Sequence, residues 1–95
     1  MSIKAVQLAR EPVGYYQETS LAAAKPCPGV GCLVMIQAEG QNLRYRIDGI
    51  NPTATVGMLL QSGETHTLNV GHGRISDIKI IETAIGGILN VSSFR

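Results

Sequence analysis

The sequence has little charge and few large aromatic side chains. Lys and Arg number 8 and Asp and Glu number 7, so charged residues are 16% of the 95 residues, against about 25% in an average soluble domain. There is no Trp and one Phe, which leaves Ile, Val, Leu, Ala and Met to build the core. A freestanding domain normally covers its surface with charged groups. The shortage therefore indicates either a small secreted or neutral β domain or a surface that is partly covered by copies or partners.

Other absences exclude whole classes of protein. The net charge of +1 provides no basic field that could follow a nucleic-acid backbone. No apolar run approaches the roughly 18 residues of a membrane span, and residues 1–11 lack the apolar segment of a signal peptide. We therefore expect no direct contact with nucleic acid and none with a membrane.

Catalytic and cofactor motifs are also missing, and the sequence predicts no enzyme, no cofactor and no metal. It has no nucleophile elbow, no phosphate loop and no marked pair of carboxylates. His66 has inward parity on its predicted strand, which favours a satisfied core or interface histidine over a base, and His72 is expected in a solvated turn. Cys27 and Cys32 are expected to be reduced thiols, with a local disulfide or half of a metal site as the alternatives.

From residue 30 onwards, apolar and polar residues alternate with a period of two, which is typical of half-buried strands. The predicted strands cover residues 32–39, 42–48, 56–60, 65–70, 75–82 (with an irregular start) and 88–94. With turns about every ten residues, this pattern predicts an all-β fold: a single antiparallel β-sandwich or small barrel of about seven strands, immunoglobulin-like in character. The dense apolar run at residues 32–39 predicts a central strand, and Gly40-Gln41 predicts a hairpin into the next strand.

The first part of the chain has weaker signals. Residues 1–25 are predicted to be an extended N-terminal arm or the first strands, and residues 26–95 the β-sandwich domain. Within the first part, residues 3–8 and 14–19 could be strands, and residues 20–25 one helical turn.

Two pairs of residues are candidate interface residues. Alternation over residues 42–48 predicts which side chains face inward and which outward; the inward set is Leu43, Tyr45 and Ile47, and the outward set is Arg44, Arg46 and Asp48. Arg44 and Arg46 then form either an exposed face with charge pairs across strands or a surface for an acidic patch on a partner. Tyr15 and Tyr16 are adjacent and point to opposite faces of a strand, so one packs and the other is available to an interface.

The segment RYRIDGINPTATVG at residues 44–57 carries a resemblance to a known family. It resembles small tailed-bacteriophage virion proteins, whose core reads Arg-Tyr/Trp-x-x-Asp-Gly-x-x-Pro-Thr-x-x-x-Gly. In those proteins a strand like Leu33–Glu39 precedes the core, a strand like residues 78–81 follows it, and the ending is similar to residues 84–91. The resemblance covers residues 20–95, and a shorter form of the motif occurs in immunoglobulin-like accessory domains of glycosidases.

The residues of this motif are expected to form a structural turn rather than an active site. Asp48 is expected to accept hydrogen bonds from turn amides, and Gly49 to adopt a positive φ. Pro52, followed by Thr53, stiffens the loop because its ring leaves little conformational entropy to lose.

The resemblance implies a structural component of a bacteriophage virion, either a capsid decoration (cement) protein or a neck or tail accessory protein. Such a protein is made in the host bacterial cytoplasm, forms a homo-oligomer, contacts other virion proteins and stabilises the particle through many copies. Its N-terminal segment is a candidate arm that adds a strand to a neighbour's sheet edge. The alternative is a carbohydrate- or receptor-binding β-sandwich module, against which the absence of Trp counts because aromatic rings stack on sugars.

Overall fold

The computed structural model describes residues 11–95, which form two four-stranded antiparallel sheets packed face to face. The strands are β1 Pro12–Glu18, β2 Lys25–Pro26, β3 Leu33–Glu39, β4 Leu43–Arg46, β5 Met58–Leu60, β6 Thr65–Asn69, β7 Lys79–Glu82 and β8 Ile88–Phe94. One sheet has the order β1-β8-β3-β6 and the other β2-β7-β4-β5. The predicted all-β sandwich is confirmed, and a 3₁₀ helix at Ile75–Asp77 accounts for the irregular start before β7.

Most successive strands alternate between the two sheets. Since β3 and β4 lie in different sheets, the hairpin predicted at Gly40-Gln41 is wrong. The connection instead crosses the end of the sandwich, where Gly40 lies against the carbonyl of Gly86 and the Thr83 amide donates to the Asn42 carbonyl oxygen (3.0 Å). Each strand has one apolar face, and the crossing lets the apolar faces of β3 and β4 meet across the core.

The core lies between the sheets and consists mainly of aliphatic side chains. Val34, Ile36 and Ala38 on β3 are fully buried, and β3 pairs with both β8 and β6, so the predicted central strand is confirmed. For the methionines of residues 11–95 the predicted contribution to the core is wrong, since Met35 and Met58 are 40% and 61% exposed. Met35 lies between two buried residues and so points outward, and Met58 lies on an edge strand.

The segment before β3 belongs to the sandwich from residue 12 onwards. β1 is the edge strand of its sheet and pairs along its length with β8. The helical turn predicted at residues 20–25 is wrong, because the chain bends there and buries Leu21 before β2 pairs with β7. One helical turn is a poor competitor for a segment that can bury a leucine side chain. The strand predicted at residues 3–8 lies outside the described residues.

β4 ends at Arg46, before the predicted alternation is complete. Leu43 and Tyr45 face the core as predicted, but Ile47 is 54% exposed, so its predicted core position is wrong. The chain turns away from the sheet at this point, and an ion pair between Arg46 and Asp48 bridges across Ile47. Side chains alternate between inward and outward only while the backbone is an extended strand, so the pattern does not apply to Ile47, which follows the end of β4.

Candidate interaction surface

The loop after β4 begins with a tight turn at Asp48 and Gly49. Asp48 Oδ1 accepts a hydrogen bond from the Ile50 amide (3.3 Å), and Gly49 has a φ of +81° that favours glycine. The Gly49 amide donates to the Asp77 carbonyl oxygen (3.0 Å), which ties the turn to the 3₁₀ helix. The turn is therefore attached to a second element of the fold.

The second half of the loop closes on Thr53. Its hydroxyl oxygen accepts hydrogen bonds from the amides of Thr55 (3.3 Å) and Val56 (3.0 Å), and its own amide donates to the Val56 carbonyl oxygen (2.9 Å). Pro52 is buried and lies against the backbone of Gly57. All four residues predicted for the turn motif thus take part in one closed loop.

The two arginines of β4 hold this loop from one side. Arg44 donates from Nε to the Ala54 carbonyl oxygen (3.2 Å) and from Nη1 to the Gly57 carbonyl oxygen (2.9 Å). Arg46 donates from Nε to Asp48 Oδ1 (3.1 Å) and from Nη2 to Asp48 Oδ2. These bonds from Arg46 are the main cause of a pKa below the usual value for Asp48. Both guanidinium groups therefore act first as supports of the loop.

The supported loop displays apolar side chains. Four residues of this segment are each more than half exposed: Ile47, Ile50, Val56 and Met58. Together with Arg46, Asp48 and Gly57, three of them line a shallow groove of about 310 Å³, which we call the loop groove (Arg46, Ile47, Asp48, Val56, Gly57, Met58). Sequence reasoning missed this surface, because the alternating pattern placed Ile47 in the core and began the next strand at Val56. That strand begins at Met58, and the pattern gave no sign that Met58 is exposed.

The two adjacent tyrosines lie on the opposite side of the molecule from the arginines. Tyr16 packs against the core, whereas Tyr15 is 63% exposed and donates its hydroxyl hydrogen to Asn90 Oδ1 (2.7 Å). They point to opposite faces of β1, as predicted. Tyr15 lies on the outer face of the β1-β8-β3-β6 sheet, and the arginines lie on β4 in the other sheet. The four candidate interface residues therefore do not form one surface.

Asn90 is the centre of a polar network on the face that Tyr15 occupies. Its Oδ1 accepts from Tyr15 and from Gln17 Nε2 (3.0 Å), and its Nδ2 donates to Gln37 Oε1 (3.3 Å) and Glu39 Oε1 (3.0 Å). The network joins β1, β8 and β3 and contains one charged group. The sequence carried no signal for it, because the register that aligns these residues arises from strand pairing.

The remaining chemically reactive side chains are engaged in the interior. Cys27 and Cys32 are buried and are not bonded to each other, and their reduced state stays a prediction. Burial, with a smaller effect of the Glu18 charge, raises the pKa of the Cys27 thiol to about 12. His66 Nδ1 and the Tyr45 hydroxyl share a hydrogen bond of 2.8 Å, and His66 Nε2 lies 3.5 Å from Glu64 Oε2. His66 is thus a partnered histidine at the edge of the core, as predicted.

Metal sites and membrane-spanning helices are both absent from residues 11–95. No three His, Cys, Asp or Glu side chains of that range lie together in a way that could hold a metal ion. Nor does the same range contain a helix with the length and hydrophobicity that a membrane crossing requires.

Comparison with known proteins adds no relative. No protein-family model, curated protein or solved structure matches the chain. The resemblance of residues 44–57 to phage virion proteins therefore stays a prediction.

Proposed function

We propose that this chain is a structural component of a bacteriophage virion, as a capsid decoration protein or a neck or tail accessory protein. In this proposal it acts without a catalytic step or a cofactor. Many copies bind to each other and to other virion proteins, and their contacts together raise the barrier to rupture of the particle.

The observation that carries the proposal is the exposed apolar loop that hydrogen bonds from β4 hold in place. Ile47, Val56 and Met58 are more than half exposed, although burial of an apolar side chain away from water lowers the free energy. Arg44 and Thr53 fix the loop that presents them. A surface ordered before contact loses less conformational entropy on binding, which is what an assembly contact requires.

The test is whether the chain is part of purified particles. Virions from the host that produces the chain are purified on a density gradient, and mass spectrometry measures the ratio of the chain to the major capsid protein. We expect a fixed ratio that survives repeated purification. Particles without the chain would refute the proposal.

A matched pair of variants connects this test to the loop. Val56→Asp places a charge in the loop groove, whereas Val30→Asp places the same charge at a valine of similar exposure (60% against 53%) outside it. We expect the first to lower the amount of chain on particles and the second to leave it unchanged.

A carbohydrate-binding module is the second candidate function, and the Asn90 network favours it. Asn90 holds the amide of Gln37 and the carboxylate of Glu39 near the exposed ring of Tyr15, and groups of these two kinds pair with sugar hydroxyls while a ring stacks on the sugar. Binding to an array of bacterial glycans, lost in Tyr15→Ala, would establish this function; no binding to any glycan would dismiss it.

A further inference from the structure

Three connections meet at one end of the sandwich, and Asn42 joins them. The Asn42 carbonyl oxygen accepts hydrogen bonds from the amide (3.0 Å) and hydroxyl (2.9 Å) of Thr83, and its Oδ1 accepts from the amide of Ser62 (2.8 Å). Residues 39–42, 61–64 and 83–87 thus form one end of the molecule. On the third of these connections, Ile85 is 90% exposed, more than any other large apolar side chain among residues 11–95.

The charge at this end is negative. Glu39, Glu64 and Glu82 lie on or beside the three connections, and within residues 11–95 none of them forms an ion pair with a Lys or Arg. Glu82 is buried and accepts a hydrogen bond from the amide of Gly87, directly below the turn that carries Ile85. We call this surface the acidic end (residues 39–42, 61–64 and 83–87).

The loop groove lies at the opposite end of β4. β4 starts at the acidic end, where Leu43 pairs with Glu82, and three residues later Arg46 pairs with Lys79 beside the groove. Three residues of strand separate the two pairs by roughly 10 Å, and the groove lies at the second pair, where it is lined by Arg46 and by Met58, the partner of Tyr45.

The charge beside the groove is positive. Arg46 and Lys79 are like charges directly opposite each other across two strands, an arrangement that destabilises a sheet unless a negative charge is near. Asp48 balances Arg46, but in the described part of the chain Lys79 forms no ion pair and Arg44 contacts only carbonyl oxygens. A carboxylate of a second molecule that binds beside Lys79 and Arg44 would therefore be stabilised by their positive charges.

We infer that the acidic end of one copy binds the loop groove of a second copy, with Ile85 inserted between Ile47, Val56 and Met58. Within residues 11–95 no side chain covers Ile85, which we call the knob, or the apolar part of the loop groove, and the charges around these two surfaces are opposite in sign. The contact joins different surfaces of the two copies, so it leads either to a closed ring or to an open column. It specifies the copy-to-copy contact of the proposed virion function and rests on that function.

The experiment uses two variants that each block one side of the contact. Ile85→Asp removes the knob and leaves the groove intact, whereas Val56→Asp blocks the groove and leaves the knob; both positions are exposed, so both variants should fold. Light scattering and sedimentation measure the wild type, each variant and an equal mixture of the two. Val30→Asp is the control for an added surface charge.

We expect the wild type to associate beyond dimers and each variant to be a monomer, with self-affinity lowered ~10- to 100-fold, as the loss of one buried Ile contact implies. The mixture should form dimers only, since one knob and one groove remain. Added salt should weaken every association, because it screens the charges, and Val30→Asp should behave as the wild type.

Three outcomes would overturn the inference. The first is a wild type that stays monomeric at the highest attainable concentration. The second is an Ile85→Asp variant that associates as strongly as the wild type. The third is a mixture that does not dimerise although both variants give the circular dichroism spectrum of the wild type. A monomeric wild type that still co-purifies with virions would leave the proposed function standing, whereas association without any virion would remove the function and keep the contact.

Discussion

Replacement of Arg44 is the most direct test of how the loop is held. Arg44 donates to the carbonyl oxygens of Ala54 and Gly57 at 3.2 and 2.9 Å, and it supplies the only side-chain bonds from β4 to that half of the loop within the described residues. Hydrogen bonds from a charged donor contribute about 1.5–3 kcal/mol each when water is excluded. Arg44 is half-buried, and water can replace it at both carbonyls, so we expect Arg44→Met to lower the free energy of unfolding by ~1–2 kcal/mol in total.

The effect should be concentrated in the loop. Urea unfolding measures the global loss, and hydrogen exchange at the amides of Thr55 and Val56, which bond to Thr53, measures local opening. Arg44→Lys should be intermediate, because one ammonium group cannot hold both carbonyls with the geometry of a guanidinium. Lys79→Met removes a cation from the same face without a described bond and should change stability by less than about 0.5 kcal/mol.

A wild-type exchange rate at Val56 in Arg44→Met, with an unchanged urea midpoint, would refute this reasoning. In that case Arg44 would not support the loop, and the exposed-interface interpretation of the sequence would be the better one.

Three further predictions concern the interior. Gly31→Ala should lower the free energy of unfolding by ~3 kcal/mol or more in urea melts, because φ is +104° and a Cβ would lie 2.2 Å from the Phe94 carbonyl oxygen. Gly49→Ala should lower it by only ~1 kcal/mol, because the atom nearest to its Cβ would be 3.9 Å away. Equal losses in the two variants would contradict the contact between Gly31 and Phe94. Ser93→Ala should keep or raise the melting temperature, because the buried hydroxyl has no partner among the described residues; a clear fall would mean that the hydroxyl is bonded. Stability should fall as pH rises above 9, since the unfolded Cys27 thiol ionises there and the folded one only near 12; the slope is ~1.4 kcal/mol per pH unit, and urea midpoints of Cys27→Ala should lack this part of the fall.

Alternation and turn chemistry, both local properties, were enough to predict much of this protein. The strands Leu33–Glu39 and Ile88–Phe94, the inward side chains of Leu43 and Tyr45, and the opposite orientations of Tyr15 and Tyr16 follow from a period of two, because a pleated strand alternates its side chains wherever it lies. The turn at Asp48 and Gly49 is equally local, since it depends on a side-chain oxygen and a positive φ.

The tertiary structure alone decided which strands are neighbours and what each exposed group contacts. Periodicity records that one face of β3 and of β4 is buried, but a backbone ladder is chemically the same between any two strands, so nothing in the pattern distinguished a hairpin from a crossing between sheets. The bonds of Arg44 to a loop ten residues away, the four bonds of Asn90 and the exposure of Ile47 all depend on that choice. The candidate interaction surface therefore belongs to the packing of the two sheets, and of its lining the sequence predicted only the outward Arg46 and the turn residue Asp48.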